Sequence, residues 1–372
     1  MGTRPEAIKL APVAHALEER GLSPSLIVTG QHRELDLAEH GLASYPAIQL
    51  TCPGEEDPHA HVAKVASALQ PILDDAPNLL IVQGDTSSAL GGARAAVAAE
   101  VPLAHVEAGL RTRDRARPWP EEEYRTEIDA KADLLFAPTD LSALNLACER
   151  VRGRVHVTGN TGIDALNAVV AELPSRAVHD RALPRLLVTC HRRESWGEGL
   201  RSVASAVREI ASGGRASAKV IVPPNNHVAG ALREQLQACP NISLLEPCSH
   251  RQLVRRMRDS ELILSDSGGM QEEAPALGVP LLVLREKTER PEGIGTGNIR
   301  LVGTCKETIV AETLRVLADP AAYAAMSRPA FPYGDGRAAP RIASIIEEWL
   351  KAREVAVTSA RISHGLPARR QR

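Results

Sequence analysis

The stretch Asp266-Ser267-Gly268-Gly269-Met270-Gln271-Glu272-Glu273 follows the apolar run Leu262-Ile263-Leu264-Ser265 and leads into Ala274 to Leu277, which reads as a helix. A serine and two glycines at such a turn leave backbone N–H groups uncovered at a positive helix end. Ser267, Gly268 and Gly269 are therefore a candidate anion cradle, although the same residues would also serve as ordinary helix caps. The cradle reading gains weight because other strand ends also carry reactive side chains. Glu107 is an isolated carboxylate directly after the buried run Leu103 to Val106, and partial withdrawal from water suits such a group to proton transfer. His191 follows Leu186 to Thr189 and precedes Arg192 and Arg193, which could steer an anionic substrate. Arg290 lies in Thr288-Glu289-Arg290-Pro291 at a further strand end. Arg4 and Lys9 stand at the entrance to a helix, where a phosphate would be held, or are solvated surface charges. Taken alone, Asp85 reads as the N-cap of a helix starting at Thr86. Glu121, Glu122 and Glu123 follow Pro118-Trp119-Pro120, where acidic residues suit a first helical turn.

Other chemistries lack their residues. His59 and His61 form an H-x-H in a polar loop with no third ligand nearby, so they read as surface residues and no metal is expected. A G-x-S-x-G elbow and a G-x-G-x-x-G fingerprint are both missing, which leaves nucleophilic catalysis and dinucleotide binding without positive support. Carboxylates, one histidine and several cationic anion holders remain. That set fits proton abstraction or glycosyl chemistry on a nucleotide sugar.

The elements that must position these groups form two βαβ series. In the first, strands at Ser25 to Thr29, Leu79 to Gln83, Leu103 to Val106 and Leu134 to Ala137 alternate with helices at His61 to Leu73 and Ala89 to Ala99, and a further helix opens at Gly159-Asn160-Thr161-Gly162. The second has strands at Leu186 to Thr189, Lys219 to Val222, Ser243 to Leu245, Leu262 to Leu264 and Leu281 to Leu284. The spacing predicts an N-terminal domain over residues 1–172, a linker over 173–184, a C-terminal domain over 185–340, a final helix over 341–357 and a polar, disordered tail over 358–372. Ligands in open α/β sheets bind at the carboxyl ends of strands, and two facing domains would merge those ends into one cleft. An α/β domain would place a strand before Gly2-Thr3-Arg4, and the chain starts at the turn itself, so the natural start is expected upstream.

Composition narrows the partners. A net charge of −2 and a pI near 6.7 argue against a nucleic-acid surface, and 2% aromatic residues argue against base-stacking platforms. The six cysteines are scattered without a C-x-x-C pair and read as free thiols of a reducing compartment. No apolar run approaches the roughly 20 residues of a membrane span, and no signal peptide opens the chain, so a cytoplasmic protein is expected.

The runs Gly2-Thr3-Arg4-Pro5-Glu6, Gly84-Asp85-Thr86, His105-Val106-Glu107-Ala108-Gly109-Leu110-Arg111, Pro118-Trp119-Pro120-Glu121-Glu122, Gly159-Asn160-Thr161, His191-Arg192-Arg193-Glu194-Ser195, Asp266-Ser267-Gly268-Gly269, Thr288-Glu289-Arg290-Pro291-Glu292 and Pro332-Tyr333-Gly334-Asp335-Gly336, in this order, resemble the UDP-N-acetylglucosamine 2-epimerase family. The resemblance implies an α/β fold of two Rossmann-like doubly wound domains facing a central cleft, the glycosyltransferase B architecture. It implies interconversion of UDP-N-acetylglucosamine and UDP-N-acetylmannosamine through elimination of UDP to 2-acetamidoglucal and re-addition, with no nicotinamide or metal cofactor, and it suggests a homodimer. Arg4, Lys9, His191, the Ser267 to Gly269 turn and Arg290 would then hold UDP, and Glu273 the uridine ribose. Asp85, Glu107 and Glu121 would move protons on the two faces of C2. Gln31, His32 and Arg33, with Arg192, correspond to an activating second-substrate site. A hydrolysing relative that releases N-acetylmannosamine shares these motifs, and a glycosyltransferase shares the architecture, so both stay open on the sequence. The chain departs from the family pattern at Tyr124, where asparagine is usual, at Pro223-Pro224-Asn225, where Pro-Val-His is usual, and at Pro247-Cys248-Ser249-His250, which often carries an aromatic.

Overall fold

Continuous Leu, Ile and Val runs form strands buried on both faces, and the helices between them cover those faces. A computed structural model describes residues 1–372 apart from 34, 76, 176–182, 192–196, 224 and 364–372. The first half comprises α1 (Arg4–Glu18), β1 (Leu26–Val28), a short 3-10 helix (Ala38–His40), β2 (Ala47–Gln49), α2 (Pro58–Leu73), β3 (Leu80–Gln83), α3 (Ser87–Ala98), β4 (Leu103–Val106), α4 (Glu121–Lys131), β5 (Leu134–Ala137), α5 (Asp140–Glu149), β6 (Arg154–Val157) and α6 (Thr161–Glu172). The second comprises β7 (Arg185–Thr189), α7 (Glu198–Ser212), β8 (Ser217–Ile221), α8 (Asn226–Leu236), β9 (Ile242–Leu245), α9 (His250–Arg258), β10 (Leu262–Ser265), α10 (Gly268–Leu277), β11 (Leu281–Val283), α11 (Glu292–Gly295), β12 (Ile299–Leu301), α12 (Lys306–Ala318), α13 (Pro320–Met326) and α14 (Ala338–Ser363).

All described strand pairings are parallel. The second half forms one sheet in the order β9-β8-β7-β10-β11-β12, the doubly wound order, whose direction reverses between β7 and β10. That reversal opens a crevice beyond the carboxyl ends of β7 and β10, and those ends carry His191 and Asp266-Ser267. Register holds the two ends level: Thr189 pairs with Ser265, and their buried hydroxyls meet at 2.6 Å. The first half holds β3-β4-β5-β6 and a separate β1-β2 pair. Met1 lies alongside β1, its N-terminal amine donating to the Ile27 carbonyl at 2.8 Å and its carbonyl accepting from the Thr29 N–H at 2.9 Å. Gln83 pairs with Val106, so Asp85 and Glu107 emerge from adjacent strand ends.

Several boundaries differ from expectation. α10 starts at Gly268, so Gln271, Glu272 and Glu273 are buried helical residues and not part of a turn. α14 extends on both sides of the expected final helix and reaches into the expected tail. It packs Ile342, Ile346 and Trp349 onto Leu10, Val13 and Leu17 of α1, which returns the end of the chain to the first half. His59 and His61 stand in the first turn of α2, not in a loop. His61 is buried, with Nδ1 at 2.6 Å from Ser87 Oγ and Nε2 at 2.9 Å from the Cys52 carbonyl oxygen. Among the described residues, no helix is long and apolar enough to cross a membrane.

Candidate active site

Glu107 leaves β4 in the left-handed region, at φ +70°, which turns its buried carboxylate toward the second half of the chain. Oε2 accepts from Lys9 Nζ and, at 3.0 Å, from Asn160 Nδ2; Oε1 accepts from Arg290 Nη2 at 3.3 Å. Asn160 is also the N-cap of α6, its Oδ1 taking the Gly162 N–H at 2.8 Å, so both ends of its amide are fixed. Lys9 reaches Glu272 Oε2 at 2.7 Å, and Arg290 Nε donates to Glu272 Oε1 at 2.6 Å. Arg290 also binds Glu289, which Arg285 contacts at 3.0 Å. Glu107, Glu272 and Glu289 thus interleave with Lys9, Arg290 and Arg285, a buried alternation of charge that spans the two halves. Burial alone would lower the pKa of Lys9, but Glu107 and Glu272 overcome it and hold the ammonium above its ordinary range. For Arg290 burial acts the same way, and Glu272, Glu289 and Glu107 raise it well above its ordinary value.

Asp85 is not a helix cap. Thr86 caps α3, its Oγ1 accepting the Ala89 N–H at 3.0 Å, while the Asp85 carboxylate binds Arg125, with Nε at 3.1 Å. Burial opposes the Asp85 charge, yet the Arg125 guanidinium holds the carboxyl below the usual aspartate range. Glu121 begins α4 one turn before Arg125, so the two share a face. Glu122 instead points back to its own loop, taking the Thr112 N–H at 3.0 Å and the Arg113 N–H at 2.7 Å, and serves as an internal strut.

On the other wall, the half-exposed ring of His191 lies with Nδ1 at 3.1 Å from Asp266 Oδ1. The His191 N–H donates to Asp266 Oδ2 at 2.9 Å, so a fully buried aspartate orients this histidine. Ser267 is the N-cap of α10 but makes no side-chain cap bond, and the space beside Gly269 is open. A Cβ on Gly268 would stand 2.9 Å from Arg290 Nη1, which places the guanidinium over the helix N-terminus. A helix end and a guanidinium converging on open space suit an anion. Tyr333 fixes the Arg290 segment, its hydroxyl donating to the Arg290 carbonyl at 2.8 Å and accepting the Gly293 N–H at 3.0 Å.

The entrance to α1 is arranged differently. Glu6 Oε2 takes the Gly2 and Thr3 N–H groups at 3.0 and 2.9 Å, so that helix end is capped by its own side chain. Arg4 reaches across to the Cys248 carbonyl, and its N–H donates to His32 Nδ1 at 3.4 Å. Glu273 Oε1 lies 2.7 Å from His250 Nε2. Gln31 Oε1 accepts from Ser88 Oγ at 2.6 Å, and His32 and Arg33 are exposed. Arg192 lies outside the described residues. Asn160, Glu272, Arg125 and Asp266 were not assigned roles from the sequence. The only signal for Arg125 is its spacing of four from Glu121, and nothing local marks Glu272, which looks like any helical glutamate.

The family model for UDP-N-acetylglucosamine 2-epimerase matches residues 15–347. The UDP-N-acetylglucosamine 2-epimerase of Salmonella typhimurium is 41% identical over 367 residues, covering 94% of this chain and 97% of that relative. Among solved structures, the UDP-GlcNAc 2-epimerase from Neisseria meningitidis bound to UDP-GlcNAc superposes with a TM-score of 0.88 at 34% identity, covering 93% of this chain and 98% of that one. The Methanocaldococcus jannaschii enzyme in complex with UDP-GlcNAc and UDP gives 0.83 at 31% identity, covering 93% and 98%. The parallel α/β architecture expected from the resemblance therefore holds along the chain. With the family match spanning most of its length and a relative this close, the chain belongs to the UDP-N-acetylglucosamine 2-epimerase family.

Proposed function

We propose that this protein interconverts UDP-N-acetylglucosamine and UDP-N-acetylmannosamine. The observation that carries the reading is the placement of Glu107, a buried carboxylate ringed by Lys9, Asn160 and Arg290 and adjoining the open N-terminus of α10. The Ser267 to Gly269 turn, Arg290 and the His191 ring would take the diphosphate, with Arg4 and Glu273 toward the nucleoside. Electrostatic stabilisation at that point favours cleavage of the C1–O bond, because negative charge develops on the departing diphosphate. A carboxylate among Asp85, Glu107 and Glu121 removes the C2 proton, the C1–C2 double bond forms, and UDP leaves with the C1–O electron pair. Protonation of the glycal on the opposite face of C2 and return of UDP to C1 complete the exchange, with carboxylates again moving the proton. Closure of the halves, residues 1–172 against 185–340 about 173–184, would keep water from the glycal. The proposal includes a cytoplasmic homodimer, whose sedimentation would correspond to twice the 39.9 kDa chain.

Proton NMR of UDP-N-acetylglucosamine with the protein in D2O tests the activity. Loss of the C2 proton signal with new UDP-N-acetylmannosamine resonances and no free sugar is expected. Free N-acetylmannosamine as the sole sugar product would replace the reading with hydrolysis, and no exchange in a sample that binds UDP would remove it.

A further inference from the structure

Beneath the carboxylates lies a second buried polar cluster that touches none of the groups assigned to substrate. β4 carries His105 into the core, fully buried, with Nδ1 at 2.6 Å from Asp129 Oδ1 and Nε2 at 2.8 Å from the Gly84 carbonyl oxygen. Both ring nitrogens thus face acceptors, a carboxylate on one side and a backbone carbonyl on the other. Asp129 Oδ2 takes the Gly109 N–H at 3.1 Å and pairs with Arg111 Nη2 at 2.7 Å, and Asn145 Nδ2 donates to the Gly109 carbonyl at 3.0 Å. One carboxylate on α4 therefore ties together β4, the turn after β4 and, through His105, the turn after β3. The residues so fixed flank the chemistry: Gly84 precedes Asp85, and Glu107 is bracketed between His105 and Gly109. The left-handed backbone of Glu107 is unfavourable for an L-residue and persists only where its surroundings determine it from both sides. α4 also lays out its polar side chains as a stripe, with Glu121, Arg125 and Asp129 each four residues apart. The first is a candidate proton carrier, the second holds Asp85, and the third holds the turns beneath both carboxylates.

We propose that His105 and Asp129 are positioning residues, a clamp that sets the separation of the Asp85 and Glu107 carboxylates without contacting substrate. The proposal rests on the epimerase reading above. The two arms of the imidazole can be removed one at a time, because an asparagine amide reaches about as far as Nδ1 and a glutamine amide about as far as Nε2. His105→Gln keeps the arm to Gly84 and drops the arm to Asp129; His105→Asn does the reverse. Steady-state kcat and KM for C2 exchange, UDP affinity by calorimetry and thermal midpoints are measured for both. Because Asp129 reaches the turn after β3 only through both arms, each variant is expected to lose roughly 10- to 100-fold in kcat with KM and UDP affinity little changed, as sub-ångström to ångström misplacement produces. Asp129→Asn, which removes the charge but leaves an acceptor for Gly109, gives an independent reading and is expected to lower kcat at unchanged UDP affinity. Wild-type kcat in either His105 variant, a loss that follows thermal midpoint, or full activity in Asp129→Asn would overturn the clamp. A wild type that fails to exchange the C2 proton would overturn the function and the clamp together, whereas exchange in the wild type with variants as active as it overturns the clamp alone.

Discussion

Glu107 is a lone carboxylate at the end of an apolar strand, held by Lys9, Asn160 and Arg290, with no capping or surface duty to perform. Lys9 and Arg290 reach it from α1 and from the loop after β11, and Glu272 of α10 pairs with both of those cations. The same folding reassigns Asp85 from helix cap to partner of Arg125, since Thr86 does the capping. Glu107→Gln keeps the shape and one acceptor while removing the basic group. C2 exchange is expected to fall on the order of 10³-fold, with UDP affinity within about threefold, as measured by deuterium incorporation and calorimetry. Unchanged exchange would take Glu107 out of the mechanism. Arg290→Ala is expected to act on the other term: losing a charge-assisted contact at the α10 N-terminus should weaken UDP binding by roughly 10- to 100-fold. An unaltered dissociation constant would show that the anion sits elsewhere.

At the scale of elements, strands with uninterrupted Leu, Ile and Val were readable from periodicity. β2, β6 and β12 were not, since they are short and mostly exposed or mixed in pattern, and a short polar strand carries no local signal. α14 was placed too late in the chain because the group that caps it is distant. Asp164 of α6 takes the Ala338 and Ala339 N–H groups at 3.1 and 2.9 Å, a cap no local reading can find. Asp164→Ala is expected to cost about 1–2 kcal/mol in urea unfolding, the usual effect of losing a helix cap; a change under about 0.3 kcal/mol would mean that water replaces it. α4 and its partners contribute to acid stability. In Asp85 and Asp129 burial opposes the charge, but Arg125 for the first, and His105 with Arg111 for the second, hold the folded pKa below the ordinary 3.8. A depressed folded pKa means that ionisation favours the folded state above the unfolded value and that this contribution is lost as pH falls through the folded one. Unfolding free energy is therefore expected to hold between about pH 7 and 5 and to decline below about pH 4, less steeply in Asp129→Asn. A decline that begins near pH 6 in both proteins would assign acid sensitivity to other groups.

At the scale of the whole molecule, the halves meet through the Lys9–Glu272 and Glu107–Arg290 pairs, through Lys287 and Asp114 at 2.6 Å, and through the return of α14 to α1. The two βαβ series announce two sheets, but no sequence pattern shows that the last helix belongs with the first. Trp349, nine-tenths buried in that contact, tests the linkage. Trp349→Ala is expected to cost about 3–5 kcal/mol, the usual range for a large aromatic lost from a packed interface, and to lower the unfolding midpoint of the first half. Loss confined to fraying of α14, with the rest unchanged, would argue against it. The pairing of α1 with α14 also bears on how the chain is made. Leu10, Val13 and Leu17 leave the ribosome early, while Ile342, Ile346 and Trp349 follow only after more than three hundred further residues. At roughly 5–20 residues per second the apolar side of α1 waits on the order of tens of seconds for its cover. The nascent protein must therefore shield the part of α1 that α14 covers, by transient contacts or by a chaperone, until α14 has been made.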